Sequence, residues 1–271
     1  MKRKLFIHIG APKCASSALQ SVMEILEKSG TLKKYGVSYP LEHNRGVGRG
    51  NGDILYKDFT KNKNIKNSVK YISTLKGEMV FFSLEDLYAL IPSYLKELER
   101  ELDSYFEIYI IVAVREASSW LLSDFSQHIK QNVSCDDFID HILKRENIVN
   151  WDLHIKLLRN QAETSHIVVC DYRRLFQCIE NLLKLPENIL IETQKSFEKE
   201  LNVNPSIDSR DMESHRIANL LDLERDDIKK LKRHISYDVK VIYHPLLEYI
   251  ARKYADQYGK IEEIEGVVFY R

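Results

Sequence analysis

His8-Ile9-Gly10-Ala11-Pro12-Lys13-Cys14-Ala15-Ser16-Ser17-Ala18-Leu19-Gln20 is the stretch on which the reading of this chain turns. It overlaps the apolar run Leu5–Ile9, which is short and rich in branched and aromatic residues, as a strand covered on both faces would be. It leads into Leu19, Val22, Met23 and Leu26, whose i, i+3, i+4, i+7 spacing predicts an amphipathic helix. Where a buried strand turns into a helix, backbone N–H groups and the positive helix end converge and favour an anion. Ser16 and Ser17 can cap that helix and also offer hydroxyls to phosphate or sulfonate oxygens. On the phosphate-loop template G-x-x-x-x-G-K-[S/T], Gly10 starts the loop, Ala15 replaces the second glycine, Ser16 the lysine, and Ser17 fills the hydroxyl position. The lysine that would reach the outer phosphates of a nucleoside triphosphate is absent from its place, and Lys13 stands three residues earlier. The pattern therefore predicts an anion cradle with a displaced cation and speaks against nucleoside-triphosphate hydrolysis.

The same alternation continues outward. Met79–Phe82, Ile108–Val114 and His166–Cys170 are further strand-sized apolar runs, with helical patterns over Leu84–Leu102 and Ser118–Ile129. Strand-then-helix order predicts an α/β fold, a three-layer sandwich with a mainly parallel central sheet and a helical C-terminal part. With 271 residues and no repeat or linker, residues 1–271 read as a single domain. One excursion, at about 40–78, departs from the pattern. It holds four glycines within Gly46–Gly52, and eight Lys/Arg against two Asp between His43 and Lys76. It predicts a flexible loop leading into a basic segment: a solvated surface excursion, or a surface that attracts an anionic or phosphate-bearing ligand.

Composition excludes several classes. Forty Lys/Arg balance forty Asp/Glu, which argues against a general nucleic-acid binder. Cys14, Cys135, Cys170 and Cys178 form no C-x-x-C pair and no zinc spacing, so no metal is expected and the thiols read as reduced. No apolar stretch is long enough to span a membrane, and the five-residue run after Lys2-Arg3-Lys4 is too short for a signal peptide. A cytoplasmic protein is the expectation.

The segment His8-Ile9-Gly10-x-Pro12-Lys13-x-x-Ser16-Ser17-x-Leu19-Gln20 resembles the 5′-phosphosulfate-binding loop of sulfotransferases that use 3′-phosphoadenosine 5′-phosphosulfate (PAPS), a family with a P-loop NTPase-like fold. That pattern usually has glycine where Ala15 stands, which points to a positive φ at this position. A second element, Ile110 to Ser123, is a strand with Arg115 at its carboxyl end and a serine eight residues further on. It is similar to the family's 3′-phosphate site, which would make Arg115 and Ser123 the ligands of that phosphate. A third, Met79 to Leu87, looks like a strand followed by Ser-x-Glu. The resemblance makes Glu85 the general base on the acceptor hydroxyl; the alternative is a helix-capping carboxylate. It further implies that Lys13 stabilises the leaving phosphate. Gly10, Pro12, Lys13, Cys14, Ala15, Ser16, Ser17 and Ala18 would hold the 5′ end of the cofactor. Asn202-Val203-Asn204-Pro205-Ser206 resembles a C-terminal segment of bacterial members.

His8 can assist the acceptor or serve as a hydrogen-bonded core residue. The function implied is transfer of a sulfuryl group from PAPS to a hydroxyl of a glycan or small metabolite, without a metal. The basic excursion favours an anionic acceptor. Two alternatives stay open: an ATP-dependent kinase-like phosphotransferase, and a non-catalytic nucleotide-binding protein of the same fold.

Overall fold

The computed structural model describes residues 2–44, 46, 49–131, 136–197, 207–223, 225–235 and 237–271. Cys135, part of the glycine run (Val47, Gly48) and the 202–206 segment lie outside the described residues. Among the described residues six strands form one sheet: β1 (Arg3–His8), β2 (Val37–Ser38), β3 (Met79–Ser83), β4 (Phe106–Val114), β5 (His166–Asp171) and β6 (Val267–Tyr270). Their order is β2-β3-β1-β4-β5-β6 and every neighbouring pair is parallel. Parallel neighbours require crossover connections, and helices supply them. The apolar runs of β1, β3 and β4 are buried on both faces, as strands of a sheet sandwiched between helical layers must be.

The chain divides into two compact units: Met1–Val114 with Asp152–Val203 and Gly259–Arg271, and Arg115–Trp151 with Asn204–Tyr258. The first contains the whole sheet. Register places His8 opposite both Ser83 of β3 and Ile111 of β4. The second unit is helical, with its own core, in which Trp120 and Trp151 meet edge to face at 5.7 Å and Phe125 lies 5.0 Å from Phe138.

Two expectations need correction. The helix foreseen over Leu84–Leu102 begins only at Ile91; a short 3-10 turn, Glu85–Leu87, precedes it. Pro92 in the first turn of the helix is the local reason, because a proline there lacks only an N–H that would be unsatisfied anyway. The excursion is also more ordered than its composition suggests. It contains helices at Asp53–Lys57 and Lys66–Thr74, with a π-helical turn at Asp58–Asn62 between them. Buried Asp58 organises this part: its carboxylate accepts from the side chains of Asn62 and Asn67 and from the main-chain N–H and hydroxyl of Ser68, 2.7–2.8 Å away.

Candidate functional site

After β1 the backbone stays tied to β4, with Ile9 N donating to Ile111 O at 3.0 Å and Ala11 N to Ala113 O at 3.4 Å. It then turns through Lys13 at φ 65° and Ala15 at φ 66°. Both are left-handed, so Ala15 adopts the conformation anticipated for the position usually held by glycine. Two side-chain-bearing residues in this region store strain on the order of 1–2 kcal/mol each. Helix Ser16–Lys28 then starts with Ala15 as its cap residue and no side-chain cap. Neither Ser16 nor Ser17 caps it, contrary to expectation. The first N–H groups of the helix thus lack a side-chain acceptor, at the positive end of the helix dipole.

Gly10, at φ 27°, is closely approached by two side chains. A Cβ there would lie 2.5 Å from Ser16 Oγ and 2.9 Å from His8 Nε2, so no larger residue fits without displacing both. Ser16 and His8 are buried, and neither of these two atoms has a hydrogen-bond partner among the described residues. On its other side His8 Nδ1 meets Ser83 Oγ at 2.8 Å, and Gln20 Nε2 donates to that same hydroxyl at 3.0 Å. Burial pushes the His8 imidazole down to about 3, so the ring is neutral.

Asn51 clamps Ser83 from behind. Its side chain accepts from Ser83 N at 2.8 Å and donates to Phe81 O at 3.0 Å, while Asn51 N donates to Ser83 O at 3.1 Å. The end of the glycine run is therefore docked on the strand end that supports His8. Gly50, at φ 81°, has no room for a side chain, since a Cβ would lie 2.0 Å from Ser83 O.

Glu85 opens the 3-10 turn directly after β3. Burial raises its carboxyl above the usual carboxylate range. The Lys13 ammonium opposes that rise, as does the Ser16 hydroxyl, which lies near the carboxylate without reaching hydrogen-bond geometry. Glu85 and Asp86 both lie in the first turn of this 3-10 helix, whose cap residue is Leu84. The structure thus brings together His8, Gly10, Lys13, Ser16 and Glu85. Cys14 is buried, whereas Ser17 is exposed in the first helical turn.

Within the second unit, Glu116 caps helix Ala117–Lys130 by accepting from Ser118 N and Ser119 N, both at 2.8 Å. Arg115 Nε donates to Ser119 Oγ at 2.9 Å. Arg115 and Ser123, eight residues apart, line one cavity of about 590 Å³, together with Ser119, Ser126, Lys240 and His244. Lys240 and His244 come from a part of the chain without a recognisable motif, and sequence reading passes over them.

In the same unit the buried Asp124 carboxylate accepts from Arg145 Nε at 3.0 Å, with His141 Nε2 at 3.2 Å and His128 Nδ1 at 3.5 Å from the same oxygen. Burial works against ionisation of Asp124, but the neighbouring His141 and Arg145 hold its carboxyl below the ordinary range. Among the described residues, Asp124, His128 and His141 are the one group whose ligand atoms cluster within 4.8 Å, close enough to hold a metal ion. Arg145 already neutralises the carboxylate, so the cluster reads as an ion-pair network. Cys14, Cys170 and Cys178 are free thiols. Among the described residues no helix is long and apolar enough to cross a membrane.

Among the solved structures that resemble this chain are the following two. One is a sulfotransferase from Alicyclobacillus acidocaldarius, 14% identical, with a TM-score of 0.41, covering 84% of this chain and 100% of its own. The other is retinol dehydratase in complex with androsterone and the inactive cofactor PAP, 9% identical, with a TM-score of 0.39, covering 97% of this chain and 81% of its own. No protein-family model matches the chain, and no curated protein matches it.

Proposed function

We propose that the protein is a sulfotransferase that moves the sulfuryl group of PAPS to a hydroxyl-bearing acceptor. The observation that carries this reading is the meeting of Lys13 and the half-buried Glu85 carboxyl at an uncapped helix start, beside the turn at Gly10 where His8 and Ser16 converge. Orphaned polar atoms and a cradle closed to any Cβ suit a tetrahedral oxyanion. A lysine at position 16 would favour a nucleoside triphosphate; the chain has a buried serine there.

In this reading PAPS supplies an activated sulfuryl group whose bond to the 5′-phosphate is ready to break. Glu85 takes the proton from the acceptor hydroxyl as its oxygen forms the new bond to sulfur. The electron pair of the breaking S–O bond leaves with the 5′-phosphate, and Lys13 and the first amides of helix Ser16–Lys28 stabilise that charge. The products are a sulfate ester and 3′-phosphoadenosine 5′-phosphate (PAP). Burial serves Glu85 here, since a raised pKa makes it a better proton acceptor.

Arg115 and Ser123 would bind the 3′-phosphate, and Lys240, on the wall of the same cavity, would add a second cation. The basic residues of the 43–76 segment favour an anionic acceptor such as an acidic glycan. The free thiols fit a reducing cytoplasm.

Calorimetric titration with PAP, ADP and ATP–Mg²⁺ tests the reading. PAP binds most tightly, and Arg115→Ala weakens it about ten- to a hundredfold, the loss expected for a charge-assisted contact to phosphate. A preference for ATP–Mg²⁺ moves the phosphotransferase reading to the front. Binding of PAP with no transfer to any hydroxyl acceptor would indicate a non-catalytic nucleotide binder.

A further inference from the structure

The buried chain Gln20–Ser83–His8 has a consequence for proton placement. Gln20 Nε2 carries only hydrogens, so at 3.0 Å it donates to Ser83 Oγ. The other contact of that hydroxyl is His8 Nδ1 at 2.8 Å. If Nδ1 carried the ring proton, Ser83 Oγ would accept from both neighbours and its own hydrogen would point at nothing, an expensive arrangement for a fully buried hydroxyl. If Ser83 instead donates to a bare Nδ1, all three groups are satisfied and the ring proton sits on Nε2. Nε2 is buried, has no hydrogen-bond partner among the described residues, and lies 2.9 Å from the point where a Cβ on Gly10 would stand.

We propose that His8 is a neutral N–H donor to an oxyanion oxygen seated over Gly10, with Ser83 and Gln20 as positioning residues that fix its tautomer. Only the identity of the anion, a PAPS phosphate or sulfonate, rests on the function proposed above. His8 is then part of the binding cradle, with no part in taking the acceptor's proton. That task is left to Glu85. Asn51 enters the same device at one remove, because it fixes the backbone of Ser83 through three hydrogen bonds with β3. The glycine run and the β1 histidine, which look unrelated in sequence, thereby serve one donor.

The loss of an N–H to an anion is worth about tenfold in affinity. His8→Phe therefore weakens PAP binding about tenfold, whereas His8→Gln, whose amide N–H reaches a similar place, restores most of it. Ser83→Ala leaves the ring but frees its tautomer, and binding falls to an intermediate value.

The deciding experiment is ¹⁵N-histidine NMR of the wild-type chain. The His8 signals are identified as those missing from His8→Gln among the nine histidines. The proposal expects a protonated Nε2 and an unprotonated Nδ1, with the Nε2 signal moving when PAP is added and the bare-Nδ1 pattern weakened in Ser83→Ala. An Nδ1–H tautomer in the wild type overturns it. So does an Nε2 signal that stays fixed while calorimetry shows PAP bound. Should calorimetry show no PAP binding, the sulfotransferase reading fails, and inorganic sulfate becomes the probe of the cradle: movement of Nε2 upholds the donor role and a static signal overturns it.

Discussion

Ala15 holds a left-handed backbone that glycine would hold without strain. Ala15→Gly relieves that strain and restores entropy to the unfolded chain, and the first effect is the larger at positive φ. The variant is expected to be more stable by roughly 0.5–1 kcal/mol, read as a rise in Tm of about 2–4 °C for each kcal/mol. Glu85 behaves in the opposite sense. Its folded-state pKa is raised, so its contribution to stability is fully present below the ordinary carboxyl value and is lost as pH rises through the raised one. Glu85→Gln removes the half-buried charge. Thermal scans at several pH values should show the variant unfolding at higher temperature than the wild type near neutrality, with the gap closing towards acid pH. Sulfuryl transfer should fall about 10²- to 10⁴-fold in the same variant while PAP binding persists.

Among the elements, the glycine run is the most informative. Gly50→Ala puts a methyl group 2.0 Å from Ser83 O at a positive φ, so the loop must undock from β3. Strain and overpacking together predict a loss of about 3 kcal/mol, measurable by denaturant unfolding, and weaker PAP binding because Ser83 and His8 lose their support. The elements themselves were unevenly legible in sequence. β1, β3, β4 and β5 announce themselves as continuous apolar runs, since a strand covered on both faces needs no alternation. β2 is two residues long and leaves no period to detect. β6 lies at the sheet edge, is partly exposed, and reads as an ordinary tail. At the site, Gly10 to Ser17 could be read because one contiguous motif carries the loop. The pairing of Ser83 with Asn51 and Gln20 could not, because folding alone joins residues 32 and 63 positions apart. Lys240 and His244 share this fate: they line the Arg115 cavity from more than a hundred residues away.

On the scale of the whole molecule, the second unit is assembled from two stretches separated by residues 152–203, so its core can close only when both are present. Ligand binding is read at this scale too. PAP at a hundredfold its Kd should add about 2.7 kcal/mol to the unfolding free energy, and Arg115→Ala should lose about half of that gain or more at the same concentration. The balanced charge means no general electrostatic attraction contributes to either figure. The place of β1 in the sheet has one further consequence. It lies at the centre, with Lys4 paired to Met79 and Arg3 to Phe106. On the ribosome the strand thus emerges about a hundred residues before its second partner, on the order of ten seconds at ordinary rates of synthesis. Until β3 and then β4 follow, Leu5-Phe6-Ile7-His8-Ile9 lacks one or both of its sheet neighbours, the kind of nascent apolar segment that holdase chaperones shield until the sheet can close around it.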